Sequence, residues 1–329
     1  MNKSHMLIGF AALSLTALGS CTTLRKSAST AKDFKVVGYF TPGTAEPERL
    51  PLQYLTHINY SFAIPAPTGD TLLPLRQDET LKRLVAHAHR KQQTEVFISV
   101  GGWDIGDGGG EDGRFHRMAE RPEGRHTFVK SVMHLVRKYT LDGVDLDWEY
   151  PDENHRSAED YVLLVSELAD SLHASGKKLT AAVVASGSKG YGTKKEALDK
   201  MDWVNLMAYD GDYGGDILKA HSPYSYAVQS INYWINERKL PASKALIGLP
   251  FYSKKGFGQF GPTYQQLIAD GASAYDDYWK GAFYNGINTI EAKTRLARKM
   301  GLGGVMIWEI GLDTADDTSL LKAIDRAKR

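Results

Sequence analysis

Two spacings alternate along most of the chain. Short runs of β-branched and aromatic residues are separated by stretches in which apolar residues recur every three or four positions. Eight runs read as strands: Lys35–Phe40, His57–Ala63, Glu95–Val100, Gly143–Glu149, Leu179–Ala185, Trp203–Ala208, Leu246–Phe251 and Gly304–Trp308. Several are apolar almost throughout, the pattern of parallel strands covered on the outside by helices. Between them, Leu81, Leu84, Val85 and Ala88 form one helical stripe. Phe128, Val132, Leu135 and Val136 form a second, and Tyr161, Leu164, Val165, Leu168 and Leu172 a third. Ser157 with Asp160 is placed to cap the start of the third. Strand–helix alternation repeated eight times predicts an α/β fold, a single closed (β/α)8 TIM barrel. A doubly wound open sheet fits less well, because it uses fewer strands and no glycine-rich phosphate loop follows the first one. The connection from Ser253 to Gly303 runs to roughly 50 residues, long for such a unit. It carries Tyr264, Tyr275, Tyr278, Trp279 and Tyr284 and reads as a decorated loop plus the last outer helix, not a separate domain.

The N-terminus departs from this rhythm. Lys3 is followed by an almost wholly apolar stretch, Met6 to Leu18. That is shorter than the about 20 residues a spanning helix needs, and it reads as the core of a secretory signal. It ends in Leu18-Gly19-Ser20-Cys21, where Cys21 is the only cysteine of the chain. Small residues before a cysteine resemble the lipobox of bacterial lipoproteins. The resemblance implies cleavage after Ser20 and lipidation of Cys21; a plain signal cut nearby, with Cys21 lost or left free, is the alternative. Thr22 to Asp33 is polar and weakly patterned, as a flexible tether is. The expected organisation is a signal peptide over 1–20, a lipidated cysteine and tether over 21–33, and one domain over 34–329. The expected location is outside the cytoplasm, held to a bacterial membrane, with Thr22 favouring the outer membrane or cell surface. A lone cysteine leaves no internal disulfide, so the core carries the stability. Lys and Arg (40) nearly balance Asp and Glu (39), which gives no basic excess for a nucleic-acid partner. A monomer is the default expectation.

The chemistry concentrates in the fourth run, Asp142-Gly143-Val144-Asp145-Leu146-Asp147-Trp148-Glu149-Tyr150-Pro151. Strand side chains alternate faces, so Asp145, Asp147 and Glu149 share one face, successive acids about 6–7 Å apart along it. Val144, Leu146 and Trp148 share the other, which points the acids at the barrel axis. Like charges in a poorly hydrated site cannot all ionise easily, so at least one of the three holds a proton near neutral pH. Glu149 stands nearest the mouth on the longest side chain and is the candidate proton donor. A solvated edge strand would not have apolar alternate positions. A divalent-metal site suits clustered carboxylates, but alternate residues on a straight strand do not wrap an ion. The ten histidines show no ligand spacing. No metal and no cofactor are therefore expected. The glycine-rich Gly106 to Gly113 carries Asp107, Glu111 and Asp112, which would repel phosphate, and reads as a flexible loop at the site.

This run closely resembles the signature of glycoside hydrolase family 18, the chitinase family. Ser99-Val100-Gly101-Gly102-Trp103 resembles its third-strand motif, Met207-Ala208-Tyr209-Asp210 its sixth, and Gly303-Gly304-Val305-Met306-Ile307-Trp308 its eighth. Gly38-Tyr39-Phe40 and Ser61-Phe62-Ala63 are similar to its first and second. The resemblance runs from Lys35 to the C-terminus. It implies retaining hydrolysis of β-1,4-linked N-acetylglucosamine, in chitin or its oligomers, with the sugar's own acetamido group as nucleophile.

Carried over by position, Glu149 is the acid and later the base, and Asp147 orients the acetamido N–H. Asp145 modulates Asp147 from below, Tyr209 holds the acetamido oxygen, and Met207 and Asp210 contact substrate. Trp308 forms the floor. Trp103 and, more weakly, Tyr39 are stacking candidates at the mouth. Asp142 falls off the catalytic face and is expected to be structural; Trp148, Trp203 and Trp234 are expected to pack. Many members insert an α+β domain before the last strand; the connection here is too short for a full copy, which implies a shallower, open groove suited to internal cleavage. An endo-β-N-acetylglucosaminidase acting on N-glycans shares the chemistry, and peptidoglycan-derived glycans are a third substrate. A sugar-binding protein without catalysis typically lacks the acid that Glu149 supplies.

Overall fold

A computed structural model describes residues 34–91, 94–102, 105, 113–152, 156–211, 220–255 and 259–329. Eight parallel strands close into a barrel: β1 (Lys35–Phe40), β2 (His57–Ala63), β3 (Glu95–Gly101), β4 (Gly143–Asp147), β5 (Lys178–Val184), β6 (Trp203–Met207), β7 (Ala245–Pro250) and, last in the chain, β12 (Gly304–Trp308). They pair in chain order, with β12 closing against β1. All eight expected strands are present, with ends that differ by at most two residues. The largest difference is in β4, which leaves the ladder at Asp147, so that Trp148 and Glu149 lie just beyond it. The outer layer is α1 (Asp78–Lys91), α2 (Gly113–Ala119), α3 (Pro122–Lys138), α4 (Ser157–His173), α5 (Lys195–Lys200), α6 (Tyr224–Ile231), α8 (Ile287–Lys299) and α9 (Leu320–Ala327), with α7 (Tyr264–Ala269) in the long connection.

Strand parity sorts the side chains into two cores. Val36, Ile58, Val96, Ile98, Val144 and Leu146 point outward into the layer between barrel and helices. Val37, Tyr39, Phe97, Trp203, Leu246 and Met306 fill the barrel interior. Trp148 packs outward, as expected, with its ring stacked 4.9 Å from Phe115 and edge-on to Tyr161. A buried aromatic of this size contributes about 3–5 kcal/mol as judged by truncation. Trp203 sits inside the barrel and Trp234 in the outer layer, both buried.

Two local expectations are corrected. Ser157 does not cap α4: it is the first helical residue, Arg156 precedes it at φ 61°, and no side chain caps the end. The Ser157 hydroxyl donates to the Asp152 carbonyl at 3.0 Å and accepts the Asp152 N–H at 2.5 Å, tying down the loop that leaves the acid strand. Asp160 pairs with Arg156 instead. The long connection is more than a decorated loop. Tyr252–Lys254 (β8), Phe260–Thr263 (β9), Tyr278–Trp279 (β10) and Ala282–Phe283 (β11) form a separate antiparallel sheet in the order β10-β11-β8-β9. Strands of two to four residues are too short to leave a period in the sequence. The sheet is small, consistent with the absence of a full insertion domain.

Asp142 has the structural part expected of it. Its Oδ2 accepts the Val96 N–H at 2.9 Å and lies 2.7 Å from His89 Nε2 on α1, fastening β3, β4 and the helix layer together. Asp142→Ala should therefore cost about 1–3 kcal/mol of stability through the orphaned donors. Denaturant melts and steady-state kinetics on the folded fraction check this, with kcat/KM expected to stay near wild type.

Candidate active site

The site is built from the C-terminal ends of the strands, and its foundation is Asp145. This carboxylate is fully buried and is shared by four donors from four other strands. Tyr39 Oη and Ser99 Oγ donate to Oδ2 at 2.6 and 2.9 Å; Thr180 Oγ1 and Asn205 Nδ2 donate to Oδ1 at 2.6 and 3.0 Å. The register makes this possible, since Ser99, Asp145 and Thr180 lie side by side on β3, β4 and β5. Burial raises the Asp145 carboxyl above its ordinary range, and the four hydrogen bonds pull it partway back.

Asp147 lies one pleat higher and is also buried. It hydrogen-bonds Glu149. Burial, then the charge of Glu149, then that of Asp145 push its carboxyl well above the usual carboxylate range. The expectation that the three acids cannot all ionise thus falls most heavily on Asp147. In this structure Asp147 faces Glu149, while Asp145 spends its lone pairs on barrel donors. Room for this packing comes from Gly101 and Gly102, at φ 112° and 84°. A Cβ on Gly101 would stand 2.1 Å from the Asp147 carbonyl, and one on Gly102 2.4 Å from the Phe62 ring. Both torsions are freely available only to glycine.

Above the acids opens a cleft of about 580 Å³ that brings together Asp147, Glu149, Tyr209, Met207, Asp210 and Trp308. Tyr39 reaches its floor, although its hydroxyl is committed to Asp145. Tyr39 and Phe62 brace the Trp308 ring, at centroid distances of 5.5 and 5.7 Å, the latter nearly parallel. The Tyr209 hydroxyl is held protonated by burial and by the charges of Asp147 and Asp210, which raise it well above its ordinary value. Trp103, most of the glycine-rich loop and Cys21 lie outside the described residues. Among the described residues no group of three or more His, Cys, Asp or Glu side chains is arranged to hold a metal ion.

Asp210 differs from the other acids. It sits at φ 57°, a left-handed position that Asp tolerates. Tyr252 Oη donates to it at 2.6 Å, with Lys254 Nζ at 3.0 Å and His221 Nδ1 at 3.2 Å. Burial alone would raise its carboxyl, but His221 and Lys254 outweigh that and lower it. A fixed anion thus stands on the cleft wall, anchored to the small sheet. Sequence reasoning missed this support, and it assigned no place on the cleft wall to Phe62, Tyr150, Lys189 and Gln229; an exposed aromatic of the Ser253–Gly303 connection extending the groove was expected, and Phe260 lines the cleft. A signal existed for the donors to Asp145. Ser99, Thr180 and Asn205 are polar residues at inward positions of otherwise apolar strands, where a polar group needs a partner.

A barrel with acids in file at its mouth and an aromatic floor defines a glycosidase-type site. The model of Glycosyl hydrolases family 18 matches residues 35–313, and the chain belongs to that family. It is 28% identical to probable chitinase 10 of Drosophila melanogaster over 91% of this chain, and 27% identical to chitinase A1 of Niallia circulans over 75%. The match spans only 16% and 45% of those two relatives. Among solved structures, the chain resembles the GH18 chitinase ChiB from the chitin utilization locus of Flavobacterium johnsoniae. The TM-score is 0.79 at 27% identity, covering 90% of this chain and 94% of that one.

One further buried acid stands next to Trp308 in the chain. Glu309 follows Trp308, is 4% exposed, and accepts the Thr41 N–H at 2.8 Å, tying the end of β12 to the loop after β1. Burial pushes its carboxyl up to about 7 from an ordinary 4.5. Because the folded value is raised, the fold favours the protonated form. That stability is complete at low pH and is lost as pH rises from about 4.5 through about 7. Glu309→Gln stays neutral, so relative to wild type it should gain up to about 3 kcal/mol between pH 4.5 and pH 8. Asp313, raised to about 6 by burial, is common to both proteins and cancels. Chemical denaturation of both proteins at the two pH values checks this.

Proposed function

We propose that this chain hydrolyses β-1,4 linkages of N-acetylglucosamine polymers, chitin or its oligomers, with retention of configuration. The observation that carries the reading is the pair formed by buried Asp147 and half-buried Glu149, set over Asp145 in the cleft that also holds Tyr209 and Trp308. Double displacement needs a second carboxylate across the sugar from the acid, about 5–5.5 Å away. Among the described residues the cleft's other carboxylates are Asp147, hydrogen-bonded to Glu149, and Asp210, engaged by Lys254, Tyr252 and His221. Membership of family 18 implies instead that the nucleophile is the substrate's own acetamido oxygen. The chitinase names of the relatives point to the same substrate class.

In the first step Glu149 gives its proton to the glycosidic oxygen as the C1–O bond breaks and the acetamido oxygen closes on C1. In the productive state the proton of the Asp147–Glu149 pair rests on Glu149, so that ionised Asp147 accepts the acetamido N–H and offsets the positive charge of the resulting oxazolinium. Tyr209, held protonated, donates to the acetamido oxygen and fixes its line of approach, an orientation effect. In the second step Glu149 takes a proton from water, which attacks C1 and reopens the ring. Trp308 supports the sugar from beneath, and Met207 and Asp210 contact it at the walls.

Incubation of the domain without its tether with a chitin hexamer, and separately with a high-mannose glycoprotein, tests the substrate assignment by mass spectrometry of the products. Cleavage of the hexamer alone is expected; release of N-glycan alone would keep the residue roles but replace the substrate. Glu149→Gln should lower hexamer turnover about 10³-fold while sugar binding persists. We further propose that the mature chain begins at a lipidated Cys21 and is held to a membrane outside the cytoplasm. Cys21→Ser should move the protein from the detergent phase to the aqueous phase on phase partitioning; an unchanged distribution would remove the anchor.

A further inference from the structure

Lys293 lies in the middle of α8 with no exposed surface. Taking an ammonium out of water is costly unless its protons find acceptors. Here the three protons of the ammonium meet an acceptor each. Nζ donates to Asn285 Oδ1 at 2.6 Å, to the Ser222 carbonyl at 2.7 Å and to Ser222 Oγ at 2.8 Å. Both of these residues are buried as well. Asn285 Nδ2 closes the cluster by donating to the Ser222 carbonyl at 2.9 Å and to the Tyr284 carbonyl at 3.0 Å. The Ser222 hydroxyl accepts from Lys293 and gives its own proton to the Ala208 carbonyl at 2.7 Å.

That carbonyl belongs to the peptide leading into Tyr209. β6 ends at Met207, so Ala208 to Asp210 lie beyond the ladder and take their position from other contacts. A peptide group is planar, so the Ser222 bond to the Ala208 carbonyl sets the plane from which the Tyr209 Cα leaves. The preceding residue adds to it. The His221 carbonyl accepts the Gly211 N–H at 2.8 Å, and His221 Nδ1 lies 3.2 Å from Asp210 Oδ1. His221 and Ser222 together clamp the segment that carries Tyr209, and Lys293 holds the Ser222 half of the clamp. A neutral amine does not keep the same pattern. It has two protons and a lone pair, and both Asn285 Nδ2 protons are committed to carbonyls. The Ser222 hydroxyl is the mobile donor beside that lone pair, and turning to Nζ takes its proton off Ala208.

We propose that the Lys293 ammonium is a positioning group for the reaction: by orienting Ser222 it fixes the Ala208 carbonyl, and with it the line along which the Tyr209 hydroxyl meets the substrate. The proposal rests on the proposed function, in which Tyr209 holds the acetamido oxygen. Lys293 touches no reacting atom and acts through Ser222. Burial lowers its amine to about 7 from an ordinary 10.5, so the ammonium pattern is complete in acid and is lost as pH rises through about 7. Asp277, in the long connection, is the charged group whose field reaches Lys293, and it favours the ammonium. On α8 itself, Glu291 is engaged by Arg295 and by Arg326 of α9. The other elements packed on α8, namely α6, β7 and β12, carry no charged residue. His221, next to Ser222, faces Asp210.

The test measures chitin hexamer hydrolysis by wild type, Lys293→Met, Tyr209→Phe and the double variant, with rates referred to the folded fraction. Lys293→Met should lower kcat about 10–100-fold, the scale of a misplaced reacting group, while KM changes by less than about three-fold. Tyr209→Phe should lower kcat as well. Adding Lys293→Met to it should cost less than about three-fold more, because both act through one hydroxyl. The ratio of wild-type to Lys293→Met kcat should be largest below about pH 6 and shrink as pH rises through about 7, since limbs common to both enzymes cancel. Ser222→Ala should lower kcat in the same sense, and it carries the kcat and double-variant comparisons if Lys293→Met does not fold. A lower melting temperature with unchanged kcat makes Lys293 a brace only and overturns the proposal. Full additivity with Tyr209→Phe, or a ratio that is flat with pH, overturns it too. If Tyr209→Phe is slow but Lys293→Met and Ser222→Ala are not, the proposed function stands and the positioning role alone falls. If Tyr209→Phe turns over as wild type does, or wild type leaves the hexamer intact, the proposed function fails and this inference fails with it.

Discussion

A carboxylate sealed inside a closed barrel, Asp145, is the group on which the rest of the site depends. A charge in that position is tolerable only if its oxygens are occupied, because an unpaired buried carboxylate costs several kcal/mol. Tyr39, Ser99, Thr180 and Asn205 occupy them, each from a different strand. The arrangement therefore cross-links the barrel interior and fixes the height of β4 against its neighbours. It also sets the field felt one pleat higher, where burial and two neighbouring acids hold the Asp147 carboxyl protonated over a wider pH range than an exposed one. The Gly101-Gly102 turn and the outward stack of Trp148 on Phe115 allow the strand to sit where this requires.

The opposite wall of the cleft is organised around an ion pair instead of a shared proton. Asp210 is pinned by Lys254, Tyr252 and His221, so the end of β6 is tied to the small sheet. Behind it, Ser222 donates to the Ala208 carbonyl at 2.7 Å. Buried Lys293 on α8 in turn donates to the Ser222 carbonyl, the Ser222 hydroxyl and Asn285 Oδ1. Burial pushes the Lys293 amine down to about 7. The strand end carrying Met207, Tyr209 and Asp210 is thus held from behind by the same connection that supplies Lys254 in front. A segment that adds length to the last βα unit serves both as brace and as wall.

The eight barrel strands were legible in the sequence because parallel strands covered by helices are apolar nearly throughout, and β-branched runs of five to seven residues stand out. The acid strand was legible for a different reason: Asp145, Asp147 and Glu149 alternate with Val144, Leu146 and Trp148, so parity alone puts them on one face. Other features were not legible. The small sheet has strands of two to four residues, shorter than the window in which a period shows. The donors to Asp145 stand out only as single inward polar positions on separate strands, and their common partner shows only once the barrel is closed. Ser157 has the sequence of a cap, but its hydroxyl is taken by Asp152 because the loop after β4 folds back onto the helix start. The wall formed by Lys254 and Tyr252 depends on a chain reversal that no local pattern announces.

The measurement that tests the central claim most directly removes the nucleophile from the substrate and leaves the protein unchanged. Two oligosaccharides of equal length and linkage would be compared for kcat/KM, one with the 2-acetamido group and one with a 2-hydroxyl at the cleaved sugar. If the acetamido oxygen attacks C1, with Asp147 and Tyr209 aligning it, the hydroxyl substrate should be slower by at least about 10⁴-fold, the scale of a well-oriented intramolecular reaction. Comparable rates for the two would mean that a protein carboxylate or a directly activated water performs the displacement, and the assignment of roles along β4 would be wrong.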